Sequence, residues 1–154
     1  MSIDLDSIDR AILKTLQQNG RIRNNELAER VGLSPPPCLR RVRLLEEAGV
    51  IERYVALVDP AKVGMGLALS ARVWLTGQDN ETFDTFVEAI RRLPQIVECH
   101  LVAGDCDFLL KVVAKDLEAY RRFQIEELAS IEGVRGIKAA VLMQRIKRSH
   151  EIPV

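Results

Sequence analysis

The residues with the clearest chemistry are arginines concentrated in one short stretch of the chain. Between Arg21 and Arg43 there are six arginines and two glutamates, a local charge of +4, although the 22 basic and 22 acidic residues of the whole chain cancel. Salt limits the reach of an exposed charge to about 8 to 10 Å, so a focused patch attracts phosphates even when the total charge is zero. The stretch therefore predicts a surface for double-stranded DNA.

Two short helices are predicted to position this patch. Apolar residues at helical spacing indicate a first helix over about residues 7 to 18, with Asp6 as its N-cap. A second, shorter helix is predicted from near Asn24 or Asn25 to Val31. Both helices bring apolar residues to one side, so we expect them to pack together.

A third helix follows Ser34 and carries the densest group of arginines. Its first turn contains Pro35, Pro36 and Pro37, which is tolerated because the first N–H groups of a helix have no intrahelical acceptor. Gly49 is predicted to end it. Helices joined by a short glycine-containing turn, the last one bearing arginines near its start, are typical of a DNA-binding helix-turn-helix.

The predicted DNA-contacting residues lie on the second and third helices. We expect four at the edge of the major groove and four on phosphates or bases: Ser34, Pro36, Pro37 and Arg40 in the first group, and Arg41, Arg43, Asn24 and Asn25 in the second. An arginine can form two bonds to guanine, whereas phosphate contacts orient the protein without reading sequence. The alternative is a solvated helix face on which Arg41 pairs with an acid such as Glu46.

The second half of the chain has a different pattern. The predicted elements are a strand over 67–76, a helix over 80–93, strands over 96–103 and 108–114, a helix over 117–131 and a strand over 134–147. This βαββαβ order indicates a ferredoxin-like fold, and with the helical first half it makes the fold class α+β.

Domain boundaries follow from the change of pattern. Residues 51–58 alternate enough to predict a strand that ends the first domain. We therefore divide the chain into a helix-turn-helix DNA-binding domain over residues 1–60, a linker over 61–66, and a ferredoxin-like domain for effector binding and oligomerisation over 67–154.

A second copy of the chain is predicted from the pattern of two strands. Residues 101–103 and 139–143 are apolar on both faces, yet the two helices of this fold cover only one side of the sheet. A second copy of the same sheet is the simplest cover. We therefore expect a homodimer through the C-terminal domain, which also places two DNA-reading helices about one two-fold axis.

Other reactive residues favour neither a metal site nor catalysis. Cys99 and His100 are adjacent in a predicted strand and point to opposite faces, and no spaced ligand pair occurs elsewhere, although Cys106 is nearby. His100 and His150 have no nucleophile close in sequence, and no phosphate-binding glycine loop occurs. We predict a protein that is not an enzyme and holds no cofactor or metal.

Composition and the N-terminal residues predict a cytoplasmic protein without a membrane partner. The apolar runs are too short to cross a bilayer. The chain begins Met1-Ser2-Ile3-Asp4, acidic where a secretory signal would be basic. Its three cysteines form no CxxC pair, which fits a reducing compartment.

Three segments carry a resemblance to a known family along nearly the whole chain. The segments LDSIDRAILKTLQQNGRI, ELAERVGLSPPPCLRRVRLLEEAGVI and ECHLVAGDCDFLLKV resemble the Lrp/AsnC family of feast-famine regulators, in that family's order and spacing. The resemblance implies a winged-type helix-turn-helix, a C-terminal domain that regulates amino-acid metabolism, and dimers that assemble into tetramers, octamers or larger discs. It also implies effector sites at contacts between dimers.

Two departures from the family pattern affect the DNA-binding half. Where many relatives have Ser or Thr to cap the second helix, this chain has Arg23, so either Asn24 caps that helix or the helix starts late. The run of three prolines is also richer than usual. Both departures concern the details of base contact.

The resemblance also marks an effector loop, formed by Gly104, Asp105, Cys106 and Asp107. An amino acid carries an ammonium and a carboxylate, so its site needs an anion and a set of donors. Asp105 or Asp107 can supply the anion, and Gly104 leaves backbone N–H groups open to the carboxylate. The alternative is an ordinary turn, since glycine and aspartate are common turn residues.

These features predict a sequence-specific DNA-binding transcription regulator that responds to a small effector, by resemblance an amino acid, through changes in oligomer assembly. Two alternatives stay open. One is an architectural DNA-binding protein that needs no ligand. The other is a ferredoxin-like metabolite-binding module or enzyme without DNA binding, whose N-terminal helices only contact other proteins.

Overall fold

Apolar side chains at helical spacing fold the N-terminal part of the chain into three helices. In the computed structural model, which describes residues 4 to 154, these are α1 (Ser7–Gln18), α2 (Asn24–Val31) and α3 (Pro35–Glu47). The Asp6 carboxylate accepts the N–H groups of Ile8 and Asp9, and the Asp9 carboxylate accepts the Asp6 N–H in return. The three predicted helices and the Asp6 cap are confirmed.

These helices pack around a small core of their own. Gly32 and Gly49 adopt positive φ values of 74° and 72° where α2 and α3 end, a region that favours glycine, as predicted. Burial in the core raises the pKa of the Cys38 thiol. Among the residues that the structure describes, the buried side chains of this core are those of Ile12, Leu13, Leu27, Ala28, Cys38 and Leu45.

Neither α2 nor α3 begins with a side-chain cap. Ser34 occupies the N-cap position of α3, as predicted, but its hydroxyl accepts no backbone N–H. The reason is that residues 35–37 are prolines, which have no N–H to donate. At α2 the N-cap position belongs to Arg23, also without a side-chain bond, and Asn24 is the first helical residue. A cap by Asn24 and a late start, the two predicted alternatives, are therefore both wrong.

The predicted strand over residues 51–58 is wrong. Within the described part of the chain this segment has no strand partner, and Val55 and Leu57 are more than half exposed, at 65% and 58%. A strand needs a neighbouring ladder to satisfy its backbone, so an alternating pattern alone does not form one. The segment is fixed instead at Tyr54, whose hydroxyl donates to Glu46 Oε1 at 2.9 Å. Partial burial and this carboxylate raise the pKa of Tyr54 to about 12.

The described residues form two compact units. One contains the chain up to Leu57 together with Lys147–Val154, and the other is Val58–Ile146. Residues 1 to 3, where the stretch used for the export prediction begins, lie outside the described residues. The predicted boundaries around the linker at residues 61–66 stay a prediction.

The side chain of Gln17 joins the C-terminal stretch to α1. Gln17 Nε2 donates to the Ile152 carbonyl oxygen at 3.0 Å, and Gln17 Oε1 accepts the Ile152 N–H at 2.6 Å. Both partner groups belong to the backbone of Ile152, so the contact does not depend on which side chain occupies that position. Lys147–Val154 belongs to the same compact unit as α1.

The second unit is a four-stranded sheet with two helices. Its elements are β1 (Leu67–Leu75), α4 (Asn80–Arg91), β2 (Ile96–Leu101), β3 (Phe108–Ala114), α5 (Leu117–Phe123) and β4 (Val134–Val141), preceded by a 3-10 turn at Ala61–Val63. The sheet order is β2-β3-β1-β4, and all neighbouring pairs are antiparallel. This topology confirms the ferredoxin-like architecture and the α+β class.

Several elements end earlier than predicted. β2 ends at Leu101 instead of residue 103, β4 ends at Val141 instead of residue 147, and β1 and α4 are also slightly shorter. The helix predicted over residues 117–131 is α-helical only to Phe123 and continues as one π-helical turn over Gln124–Leu128. Apolar residues continue beyond these ends, and the sequence pattern does not show where the ladder partners stop.

The two faces of the sheet differ. The helix-covered face forms the core, which includes Leu69, Ala71, Val73, Phe86, Phe108, Leu110, Val112, Phe123 and Leu128. On the uncovered face the register places Arg72 between Leu109 of β3 and Lys138 of β4, and Ser70 beside Lys111. This face is therefore more polar than the sequence pattern predicts.

Ser34→Ala is expected to leave the thermal unfolding midpoint of the chain unchanged, although an N-cap serine ordinarily contributes about 0.5 to 2 kcal/mol. The reason is that the Ser34 hydroxyl has no N–H partner. Circular dichroism melting measures this. The matched control is Asp6→Ala, which removes a complete capping box from the same unit and should lower the midpoint. An equal loss in both variants would contradict the missing cap bond.

Candidate DNA interface and effector loop

The start of α3 is at the surface and is tied to the start of α2 by one hydrogen bond. Asn24 Nδ2 donates to the Pro35 carbonyl oxygen at 2.9 Å, which holds the two helix starts side by side. Asn24 is therefore engaged within the protein. Of the neighbouring residues predicted to contact DNA, Asn25, Ser34 and Pro36 are exposed and Pro37 is half-buried.

Two arginines of α3 are exposed and form no ion pair within residues 4 to 154. Neither Arg40 nor Arg43 has a carboxylate within 4.0 Å among residues 4 to 154. Residues three apart on a helix are neighbours on its surface, so both guanidinium groups lie on one side of α3. An unpaired guanidinium keeps its five N–H donors for phosphate oxygens or for the O6 and N7 atoms of guanine.

Arg41 has a different environment. Its Nη1 atom lies 2.7 Å from Asp6 Oδ2 and 2.8 Å from Asp9 Oδ1, and its side chain is only 28% exposed. Arg41 thus pairs with acids at the start of α1 rather than with Glu46, which accepts the Tyr54 hydroxyl. The Asp9 backbone N–H and then the Arg41 guanidinium lower the pKa of Asp6. These contacts attach α3 to α1.

The loop between β2 and β3 contains the predicted effector residues, and Asp107 anchors it to β1. Asp107 Oδ2 accepts the Leu75 N–H at 2.7 Å, and the Asp107 N–H donates to the Val73 carbonyl at 3.0 Å. The Asp107 carbonyl also accepts the Val102 N–H at 3.0 Å across the loop. Its side chain is half-buried, so Asp107 combines a structural anchor with a carboxylate at the surface.

The other loop residues are held more loosely. The Asp105 carboxylate is 75% exposed and lies 3.3 Å from Arg72 Nη1, while its carbonyl oxygen accepts the indole N–H of Trp74. Gly104 is exposed. Cys106 is buried, and this burial, followed by the charge of Asp105, raises the pKa of its thiol.

A cleft of about 330 Å³ brings all four predicted loop residues together with residues from other elements. These others include Trp74 of β1, Thr76 and Gln78 just after β1, and Arg135 of β4. Sequence spacing alone does not indicate these residues, because only the pairing of β1 with β4 brings the start of β4 beside the end of β1. The expected βαββαβ topology, which pairs these two strands, is the signal that could have found them.

The cysteine and histidine residues do not form a metal site in the described structure. Cys99 pairs with Leu110 on the helix side of the sheet and His100 pairs with Leu109 on the other side, as strand geometry predicts. No three His, Cys, Asp or Glu side chains within residues 4 to 154 are grouped as metal ligands. His100 Nε2 lies 3.6 Å from Glu98, whose pKa is lowered mainly by a hydrogen bond from the ammonium of Lys111.

Two family profiles match the chain. The profile for winged helix-turn-helix DNA-binding covers residues 5–52, and the profile for the Lrp/AsnC ligand binding domain covers residues 70–152. The first match contains α1, α2 and α3, and the second contains nearly all of the sheet and both of its helices. Within residues 4 to 154, no helix has the length and apolar character needed to span a bilayer.

Individual relatives match over nearly the whole length. The leucine-responsive regulatory protein of Escherichia coli strain K12 is 44% identical over 151 residues, which are 98% of this chain and 92% of the relative. The crystal structure of a transcriptional regulator from Neisseria meningitidis in complex with L-Met has a TM-score of 0.94 and 37% identity, covering 97% of each chain. An AsnC family transcriptional regulator from Agrobacterium tumefaciens has a TM-score of 0.91 and 38% identity, covering 96% of each chain.

A helix-turn-helix with exposed arginines, joined in one chain to a ligand-binding ferredoxin-like sheet, defines a DNA-binding transcription regulator. The chain belongs to the Lrp/AsnC family of these regulators, as its three sequence segments predict. The described relatives are regulators rather than enzymes.

Asp6→Asn is expected to lower the free energy of unfolding at neutral pH, because asparagine can still cap α1 but has no charge for Arg41. The pKa of Asp6 is lower in the folded state than its ordinary value of 3.8. The charge therefore stabilises the fold above that value, and its contribution is lost as the pH falls through the folded-state pKa. Urea unfolding between about pH 6 and about pH 2.5 should show the two proteins converging at the acidic end.

The control is Asp84→Asn on α4, an exposed carboxylate without an ion pair within the described residues. It should show no such pH dependence relative to the wild type. A constant difference between Asp6→Asn and wild type down to the lowest pH would mean that the charge of Asp6 does not stabilise α1 and α3.

Proposed function

We propose that the chain binds specific DNA sequences by placing the start of α3 in the major groove. The observation that carries this is the pair of exposed guanidinium groups of Arg40 and Arg43, free of carboxylates in residues 4 to 154, beside a proline-rich helix start that has no N–H groups of its own to offer. Arginines on such a helix can read guanine, and arginines at its flank can neutralise phosphates.

The eight predicted DNA residues contribute in different ways in this proposal. Arg40 and Arg43 provide free charge, and the exposed Ser34 and Pro36 shape the groove-facing surface together with Pro37. Three further residues support the contact. Asn25 offers an exposed amide, whereas the side chains of Asn24 and Arg41 have partners within the protein. Arg41 contributes mainly by fixing α3, because its charge is already met by two carboxylates.

Arg40→Ala and Arg43→Ala are each expected to weaken DNA binding, measured by fluorescence anisotropy on fragments that the protein selects from a random-sequence pool. A residue that contacts phosphate should also reduce the salt slope of log K by about 0.9, whereas a base-reading residue should relax preference at one base pair by about 1 to 3 kcal/mol. Comparison of the salt slopes of the two variants then shows which arginine contacts phosphate and which reads bases.

Arg121→Ala on α5 is the matched control, an exposed arginine in the other unit. It should bind DNA as the wild type does. Unchanged affinity and salt slope in the Arg40→Ala, Arg43→Ala double variant would refute the proposed reading helix.

We further propose that an amino acid is the effector and that it binds at the loop of residues 104–107. The Neisseria meningitidis relative in complex with L-Met supports this class of ligand. The cleft beside the loop places the carboxylates of Asp105 and Asp107 near exposed Gly104 and buried Cys106. One site therefore offers carboxylates for the ammonium group of an amino acid and exposed backbone N–H groups for its carboxylate.

Effector binding is proposed to act through assembly. The uncovered sheet face, with Trp74, Leu109 and Val113 half-buried beside charged residues, favours a homodimer formed by two such sheets. Family resemblance extends this to dimers that associate into tetramers or octamers. A ligand that favours one assembly changes how many copies of α3 engage clustered DNA sites, and linked sites gain affinity without new contacts.

Calorimetric titration with the twenty amino acids is expected to find at least one ligand for the wild type and a weaker affinity in Asp105→Asn or Asp107→Asn, by about tenfold or more for a lost charged hydrogen bond. Asparagine at position 107 keeps an oxygen for the Leu75 N–H, so the loop anchor survives. Sedimentation velocity with the same ligand should show a change in oligomer size. Heat from none of the twenty would favour a regulator that needs no ligand.

A further inference from the structure

The start of α3 has no free backbone donor. Its first three residues, Pro35, Pro36 and Pro37, have no N–H group. The next N–H, that of Cys38, donates to the Ser34 carbonyl oxygen at 3.3 Å. The N-terminus of a helix usually presents free N–H groups, to which phosphates bind. At α3 these groups are replaced by ring carbons, so any contact with DNA at this end depends on side chains.

Apolar side chains are exposed in the first turns of α3. Pro36 is exposed, and Leu39, three residues further along, is 39% exposed. Residues three apart are neighbours on a helix surface, so Pro36 and Leu39 form one patch, called here the α3 apolar patch. Pro36 also precedes by four residues Arg40, whose guanidinium has no ion pair within residues 4 to 154. The patch is therefore continuous with the proposed DNA-binding surface.

A second exposed leucine of α3 lies on a different side of the helix. Leu44 is 55% exposed and lines a hollow whose other walls include Asp9 of α1 and Arg41. It is five residues from Leu39, which corresponds to about 140° around a helix of 3.6 residues per turn. Leu44 therefore belongs to the side of α3 next to α1, and it provides a matched comparison for Leu39.

We propose that the α3 apolar patch reads the C5-methyl group of a thymine in the major groove. The side chains of Pro36 and Leu39 have no hydrogen-bonding atoms for base edges, and the thymine methyl is the apolar group that the major groove presents. Arg40 or Arg43 reads a guanine nearby by hydrogen bonds. This inference rests on the proposed DNA-binding function and adds the base that the start of α3 prefers.

The length of α3 between the patch and the arginines limits how far apart the two bases lie. Pro36 and Arg40 are four residues apart, which is about 6 Å along a helix axis. Base pairs follow one another every 3.4 Å or so, roughly the spacing of phosphates along a strand. The thymine therefore lies within about two base pairs of the guanine. Since the contact is with the methyl group, 5-methylcytosine satisfies it as thymine does.

The experiment is fluorescence anisotropy of the full-length protein on a DNA fragment that the wild type selects from a random-sequence pool. Each thymine of the fragment is replaced in turn by deoxyuridine, which lacks only the C5-methyl group. At a thymine near the guanine that Arg40 or Arg43 reads, the replacement should weaken binding about three- to fivefold, the effect of one lost methyl contact. At the same position 5-methylcytosine should bind more tightly than cytosine by a similar factor.

Protein variants show whether the patch is the part of the protein that senses the methyl group. The Pro36→Ala, Leu39→Ala double variant should bind the thymine and deoxyuridine fragments with nearly equal affinity. Leu44→Ala is the matched control and should keep the wild-type ratio of the two affinities.

Two results separate this inference from the proposed function on which it rests. If the wild type binds the fragment but no thymine is sensitive, or if the double variant keeps the wild-type ratio, methyl reading by the patch is overturned and the arginine surface stands. If the Arg40→Ala, Arg43→Ala double variant binds DNA as the wild type does, the proposed reading helix itself fails.

Discussion

The attachment of α3 to α1 through Arg41 is the interaction on which the proposed DNA-binding surface depends. A helix that begins with three prolines cannot use a serine cap, so its start gains no stability from the usual hydrogen bonds. The carboxylates of Asp6 and Asp9 supply the missing support from outside the helix, at 2.7 and 2.8 Å from the Arg41 guanidinium. Arg41 is thus engaged within the protein, whereas its neighbours Arg40 and Arg43 have no carboxylate within 4.0 Å among residues 4 to 154.

The same principle applies to the hairpin of the second unit. Asp107 binds β1 through its side chain and its backbone N–H. These two hydrogen bonds fix the end of the loop against the sheet. The exposed polar residues there include Asp105, Gly104 and the facing Arg135. In both units, a charged side chain that is bound within the protein fixes the geometry of neighbouring groups that are left open for a partner.

Burial makes the two sides of the β2–β3 hairpin end chemically different. The register of β1 with β3 sends alternate residues to the helix side, where Phe108 is buried against Phe86 at a ring-centroid distance of 4.5 Å. Leu101, the last residue of β2, remains 65% exposed. Polar groups meet on the other side of the same edge, where β4 adds Arg135 to the loop acids.

The sequence by itself determined what depends on local spacing and on residue type. The three helices, the Asp6 cap, the βαββαβ order and the cluster of arginines all follow from contacts between residues a few positions apart. Tertiary structure decided which charges have partners and which residues meet across long separations. Arg41 lies 35 residues from Asp6, a pairing that no local pattern contains. Residues 51–58 have the pattern of a strand but no ladder beside them in the described chain, and Arg135 joins the loop only because β4 pairs with β1. Local propensity acts within a few residues, whereas ion pairing and strand pairing require the whole fold to bring the partners together.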